Sequence, residues 1–419
     1  MTQPSPQKRA KPAHPPQTRF PVVDNTLQVG GEPVTALAER AGGRAFYAYD
    51  GALMRERVTA LRAVLPAGVE LHYAMKANPL QAVVNHLAAL TDGLDVASAR
   101  ELATALASGT DPLDISFAGP GKSEEDLAAA VAAGVIIILE SPTELERVAA
   151  LAAGAPVAPR VAVRVNPDFE LKASGMKMGG GPKPFGIDAE QVPGVLARIG
   201  ELPLDFRGLH IFSGSQNLRP EALIEAHDRT AELALRLAAA APAPVRWLNI
   251  GGGLGVPYFP GEQPLDLGPV MANLARRVQE LRGALPEAAI VMELGRYLVA
   301  EAGVYVARVT DRKVSRGQVF LVTNGGLHHH LALSGNFGQV IRKNYPVCIG
   351  NRVESEDREP VTIVGPLCTP MDLLAERMEL PRADIGDLVV VFQSGAYGFS
   401  ASPHGFLSHP EPLEFFLTG

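Results

Sequence analysis

Between residues 50 and 296, short apolar runs alternate eight times with stretches rich in Ala, Leu, Glu and Arg. The runs fall at 70–76, 93–97, 114–118, 135–140, 160–166, 206–212, 247–250 and 290–294, and helical patterns fill gaps such as 101–108, 124–133, 143–153 and 220–240. Eight strand–helix repeats favour a (β/α)8 TIM-like barrel over a doubly wound sheet. A barrel gathers its strand C-termini on one face, and Lys76, Asp95, Asn166, His210, Gly251, Gly252, Gly253 and Glu293 fall at those ends.

After Arg296 the pattern changes. Runs at 304–310, 319–323, 361–364 and 388–392 are β-branched, and turn-rich segments separate them, so 297–419 reads as a C-terminal β domain. Residues 20–49 carry the strand-like Phe46-Tyr47-Ala48-Tyr49 and are expected to pack with that domain; 1–19, rich in Pro, Gln and Lys, read as a disordered leader. The loop at 167–185, with Gly179-Gly180-Gly181 and several lysines, interrupts the barrel rhythm and is either a lid or a structureless excursion.

Composition excludes several classes. A net charge of -7 argues against nucleic acid or an anionic membrane as the main partner. No run reaches the roughly 18 apolar residues of a membrane span. With only Cys348 and Cys368, no disulfide framework is implied, and a reducing cytoplasm fits.

Lys76, in Tyr73-Ala74-Met75-Lys76-Ala77-Asn78-Pro79, ends an apolar strand that the Asn-Pro pair stops. Partial desolvation there would lower its pKa, as an amine forming a Schiff base needs. A solvated lysine capping a strand is the plainer alternative. Gly251-Gly252-Gly253 follows the seventh strand and suits either a phosphate cradle or a tight turn. Glu293 and Arg296, in Glu293-Leu294-Gly295-Arg296, offer a carboxylate for a pyridine nitrogen and a guanidinium for phosphate, or simply a surface ion pair. His210 could stack on a planar ligand or be a core histidine, and Asp95 and Ser98 could bind the same ligand or cap a helix. Flanking Pro and Gly place Cys368 in an exposed loop, where a thiol can act as an acid. His328-His329-His330 lacks companions at ligand spacing, so no metal is expected; a surface or substrate-contact role is.

Together, Tyr73-Ala74-Met75-Lys76-Ala77-Asn78, Gly251-Gly252-Gly253, Glu293-Leu294-Gly295-Arg296, Gly365-Pro366-Leu367-Cys368 and Gly395-Ala396-Tyr397 resemble the pyridoxal-phosphate-dependent decarboxylases of the alanine-racemase fold, which include diaminopimelate and ornithine decarboxylases. The resemblance implies a lyase with pyridoxal 5'-phosphate as cofactor, bound covalently to Lys76. It places His210 on one ring face and Glu293 at the pyridine nitrogen, with Asp95 also among the cofactor residues. Ser213 or Ser215, Gly252, Gly253, Arg296 and Tyr397 hold the phosphate. It also implies a homodimer with shared active sites, Cys368 of the partner subunit acting near the substrate's α-carbon. Arg296, Arg342, Tyr345, Cys368, Thr369 and Tyr397 form the substrate side. A protonated pyridine is the strong electron sink that decarboxylation requires, so the carboxylate at 293 favours a decarboxylase over a racemase.

Three segments depart from the diaminopimelate decarboxylase pattern. Glu293-Leu294-Gly295-Arg296 replaces Glu-Pro-Gly-Arg. Cys368-Thr369 replaces Cys-Glu, which argues against diaminopimelate itself. His210-Ile211-Phe212-Ser213-Gly214-Ser215-Gln216 is two residues longer than His-Ile-Gly-Ser-Gln. Arg342-Lys343-Asn344-Tyr345 is similar to Arg-Pro-x-x-Tyr, whose arginine binds a substrate carboxylate. The segments 168–172, 176–181 and 328–338 resemble decarboxylases associated with exosortase A and exopolysaccharide gene clusters, which implies a small amino-acid substrate or one tethered to an acyl carrier protein. Diaminopimelate decarboxylation to lysine, racemisation and non-catalytic cofactor binding remain the alternatives.

Overall fold

Eight parallel strands close into a ring. The structure, a computed structural model, describes residues 13–170, 176–177, 179–335 and 342–419. A strand β1 (Phe46–Asp50) precedes the barrel. The barrel strands are β2 (Val69–Ala74), β3 (Gly93–Val96), β4 (Ile115–Phe117), β5 (Ile136–Leu139), β6 (Arg160–Asn166), β7 (Asp205–Ile211), β8 (Trp247–Asn249) and β9 (Ala289–Leu294). Each pairs with the next, and β9 pairs with β2 to close the circle, setting Glu293 opposite His72. All eight expected strands are present, to within a residue or two at their ends.

Local chemistry explains why strands give way to helices. Ser98, Ser123 and Ser141 each accept a hydrogen bond from a backbone amide in the first turn of the helices Ala99–Ala107, Glu124–Ala133 and Pro142–Ala152. Such caps are worth about 1 kcal/mol each. Asp126 answers Ser123 in a reciprocal capping box. The long helix Pro220–Ala238 buries Leu223, Ala226, Leu233 and Leu237.

The second sheet is built from β10 (Gly303–Ser315), β11 (Gln318–Thr323), β12 (Val347–Ile349), β13 (Arg358–Val364), β14 (Leu373–Pro381), β15 (Leu388–Val391) and β16 (Leu413–Leu417). Its order is β12-β15-β10-β11-β13-β14, and β1 lies between β10 and β16. One face packs Phe46, Ala48, Val304, Val306 and Val390 into a core of its own. The alternate residues Tyr47, Tyr49 and Tyr305 join the core shared with the barrel, as a period of two requires.

Two sequence expectations are corrected here. The strand carrying Lys76 ends at Ala74, and Met75–Ala77 forms a 3-10 turn closed by the Asn78 amide on the Met75 carbonyl (3.0 Å). The three histidines, expected at the surface or in contact with substrate, are all at most 1% exposed, so they form no part of the surface. Of the 167–185 loop, Met176–Lys177 pairs antiparallel with Gly214–Ser215; residues 171–175 and 178, like 1–12 of the leader and 336–338 of the 328–338 segment, lie outside the described residues. Among the described residues no helix is long and apolar enough to cross a membrane.

Candidate active site

The inward-facing side chains at the C-terminal end of the barrel form a polar floor. Glu293, on β9, is 7% exposed, and three neighbours converge on it. His210 Nε2 lies 3.2 Å from Oε2, out of line for a well-formed hydrogen bond. Asn249 Nδ2 donates to Oε2 at 3.4 Å, and Lys76 Nζ is 3.8 Å from Oε1. Register explains the grouping, since His210 stands beside Asn249 on β7 and β8. Burial pushes the Glu293 carboxyl up, but His210, Lys76 and Arg164 together hold it well below the usual carboxylate range.

Lys76 behaves differently from the sequence expectation. Desolvation is the largest single influence and does lower its pKa, yet Glu293, Tyr397 and Asp95 outweigh it and the net direction is up. The amine is therefore held charged beside Glu293.

The rest of the floor is also paired. Ser116 donates to Asp95 Oδ1 at 2.5 Å, and His72 Nδ1 approaches the same oxygen at 3.4 Å. Asp95 Oδ2 is buried without a hydrogen-bond partner. Arg164 donates to Glu140 at 2.7 Å, and Glu140 also accepts from the Gly119 and Gly186 amides. Asn166, at the end of β6, instead anchors the 167–185 loop through the Gly180 amide (3.0 Å) and the Gly181 carbonyl (2.9 Å).

Above the floor lies a cleft lined by Lys76, Phe212, Ser215, Gly253, Glu293, Arg296 and Tyr397. Gly253 has φ +84, and a Cβ there would lie 2.8 Å from the Gly214 carbonyl oxygen; one at Gly252 would lie 2.2 Å from that of Glu293. Only glycine leaves room for this cradle. Arg296 sits against the rings of Tyr397 (4.7 Å) and Tyr258 (5.3 Å) and donates to the Tyr258 hydroxyl at 3.1 Å, while its Nε is buried with no hydrogen-bond partner. Tyr397, at φ 54, donates its amide to the Ala77 carbonyl at 2.8 Å, fastening the β domain to the lysine turn. Ser213 opens on a neighbouring cavity with Asn217, His227 and Gly252.

The substrate-side residues are not all gathered here. Arg342 donates to the Leu333 carbonyl (2.9 Å), Asn344 Oδ1 (2.9 Å) and the Leu373 carbonyl (3.3 Å). Tyr345 packs its ring 4.8 Å from that of Tyr258 and so reaches the cleft only through Arg296's neighbour. Cys368 is exposed, and Thr369 accepts from the Met371 amide at 3.3 Å; neither lines this cleft. Arg164, Asn249 and Tyr258 carry no motif of their own, and strand register is the signal that would have found the first two; Phe212 lies inside the 210–216 segment without having been singled out.

Residues 52–300 match the family described as "Pyridoxal-dependent decarboxylase, pyridoxal binding domain". The chain belongs to that family. It is 40% identical over 391 residues to an L-glutamyl-[BtrI acyl-carrier protein] decarboxylase of Niallia circulans, covering 91% of this chain and 90% of that one. It is 30% identical to 2-[(L-alanin-3-ylcarbamoyl)methyl]-2-hydroxybutanedioate decarboxylase of Staphylococcus aureus, covering 89% and 94%. Diaminopimelate decarboxylase of Helicobacter pylori complexed with L-lysine superposes with a TM-score of 0.80 at 26% identity, covering 91% and 94%. The protein is thus a pyridoxal-phosphate-dependent decarboxylase with the fold of that group. The residues present fit the cofactor: an amine beside a buried carboxylate, a glycine cradle, and a guanidinium with an unsatisfied N–H. When bound, pyridoxal phosphate supplies the electron sink for charge left at the substrate's α-carbon.

Proposed function

We propose that the enzyme decarboxylates an amino acid whose far end is attached to a carrier, with an acyl-carrier-protein-bound glutamyl group as the first candidate. The observation that carries this reading is Thr369, a neutral residue engaged with the Met371 amide, where a diaminopimelate decarboxylase needs a carboxylate. Arg342 supports it, because its guanidinium is already engaged by two carbonyls and Asn344. The 40% likeness to a decarboxylase named for a carrier-bound glutamyl group points the same way.

Within this reading Lys76 binds the cofactor and Glu293 holds the proton on its ring nitrogen, with Asp95 beneath. Ser215, Gly252, Gly253, Arg296 and Tyr397 hold the phosphate; Ser215 is favoured over Ser213 because it lines the lysine's cleft. The working unit is a homodimer in which Cys368 of the partner subunit delivers the proton to the α-carbon. An exposed Cys368 that does not line its own chain's cleft supports that arrangement. Residues 50–296 then hold the cofactor, while 20–49 and 297–419 complete the neighbouring site. The setting is cytoplasmic, in the making of an exopolysaccharide precursor, as the exosortase A-associated resemblance implies.

The test is CO2 release from the cofactor-loaded enzyme with carrier-bound glutamate, free glutamate, meso-diaminopimelate, ornithine and lysine. Turnover on the carrier-bound substrate well above all free amino acids is expected. Equal or faster turnover of meso-diaminopimelate overturns the substrate reading.

A further inference from the structure

Along β2, Glu70, His72 and Ala74 alternate with Leu71 and Tyr73, which join the apolar core. The first three therefore share the face turned to the barrel interior. Register sets His72 beside Glu293 on β9 and Gly93 on β3. A Cβ at Gly93 would lie 2.5 Å from both Cε1 and Nε2 of the ring, so only glycine leaves the imidazole its place. The ring is 3% exposed, and its two nitrogens face carboxylates in opposite directions. Nδ1 lies 3.4 Å from Asp95 Oδ1, the oxygen that also accepts from Ser116 at 2.5 Å. Nε2 lies 4.0 Å from Oε2 of Glu70, which is 44% exposed near the start of β2. Asp92 and Asp114, just before β3 and β4, add negative charge around Glu70. Burial lowers the pKa of His72, but Asp95, then Glu70 and Glu293, outweigh it and the net direction is up.

We infer that His72 is a positioning residue that, with Ser116, ties down Asp95 Oδ1 and so presents Asp95 Oδ2 as an acceptor to the bound cofactor. The inference rests on the cofactor reading above. Oδ2 is buried without a hydrogen-bond partner, which is costly unless a ligand claims it. Asp95 is also among the groups that keep the Lys76 amine charged, so a carboxylate fixed from below acts on the amine that binds the cofactor. A hydrogen bond from a charged imidazole is roughly twice as strong as one between neutral groups. An apolar side chain at 72 would leave Ser116 as the one group holding Oδ1 among the described residues, and the carboxylate free to turn.

The experiment has two arms. In the first, NMR follows the His72 ring protons of the apo chain against pH, assigned by their loss in His72→Asn. The midpoint is expected above the ordinary 6.5, and to fall further in Asp95→Asn than in Glu70→Gln. A midpoint below 6.5, or one that Asp95→Asn leaves in place, overturns the inference. In the second, pyridoxal phosphate is titrated into the apo forms of the native chain, His72→Leu and His72→Asn, read by the fluorescence of the single tryptophan, Trp247. His72→Leu is expected to bind roughly tenfold more weakly, the worth of one charged hydrogen bond. His72→Asn, which keeps an N–H where Nδ1 stands, is expected to recover most of that loss. Unchanged affinity in His72→Leu, or no recovery in His72→Asn, overturns the inference. Should His72→Leu fail to fold, the NMR arm decides alone. A native chain that takes up no cofactor overturns the functional reading, whereas the NMR arm judges the His72–Asp95 pair without it.

Discussion

Lys76 Nζ lies 3.8 Å from Glu293 Oε1 because the last barrel strand, β9, pairs with the first, β2, and closes the ring. The two side chains are remote in sequence and adjacent across that seam. Burial works against both charges, but the attraction of Glu293 raises the lysine's pKa, and His210 and Lys76 together hold the carboxylate ionised.

Replacing Glu293 with Gln keeps the shape and removes the charge. Turnover is expected to fall about 100- to 1000-fold, the usual consequence of losing one preorganised electrostatic partner, with cofactor still bound. Activity within a few fold of native, at equal cofactor occupancy by absorbance, would argue that the ring nitrogen takes its proton elsewhere.

Lys76 projects into the cleft with half of its side chain exposed, so Lys76→Ala should fold normally. After borohydride reduction, peptide mass spectrometry should find the cofactor on the peptide containing Lys76 in the native chain. No such adduct should appear in the variant. An adduct at another lysine would displace Lys76 from its assigned role.

Sharing of sites between subunits is directly testable. Cys368→Ala should lower turnover strongly while leaving the cofactor absorbance intact. Mixing and re-associating inactive Cys368→Ala and Lys76→Ala chains should restore activity, since one of the two hybrid sites is then complete. No recovery in verified mixed dimers would place both groups in the same chain's site.

Asp372 ties the Cys368 loop to the histidine segment: Oδ1 accepts from the Leu327 amide and Oδ2 from the Leu367 amide, both at 2.7 Å. Asp372→Ala strands two buried N–H groups, at a cost of about 1–3 kcal/mol each. The variant should unfold at clearly lower urea concentration than native. An unaltered unfolding midpoint would mean that water replaces the carboxylate without loss.

Burial lowers the pKa of His227 and His328 to about 4 and of His329 and His330 to about 3. Their folded values lie below the ordinary 6.5, so the unfolded chain binds these protons first. Stability should therefore fall as the pH drops from about 6.5 towards 4. Thermal midpoints measured across this range should decline steadily, and less steeply in His227→Leu. A flat profile would show that these rings are already hydrated.

Some of the fold escaped a reading by pattern. Leu373–Pro381, rich in Leu, Glu and Met, has the composition of a helix yet pairs as β14 with β13, with Arg377 at φ 49 where the register shifts. Tertiary pairing overrode propensity there, as it commonly does in strands. The cradle at 251–253 and the Glu293–Arg296 pair were legible because short spacing fixes their geometry. Tyr258 was not, since its part is to brace Arg296 from a loop that carries no motif.

The amino-acid order by itself determined the eightfold barrel, the β-rich second domain and the family's chemistry. Apolar periodicity and short motifs act over a few residues and need no distant partner to be read. Only the tertiary structure decided that Lys76 stands on a turn beyond its strand, that His210 lies buried against Glu293, and that Ser215 shares the lysine's cleft. Those relations depend on strand register and on the closure of β9 upon β2, which set neighbours across the ring and leave no trace along the chain.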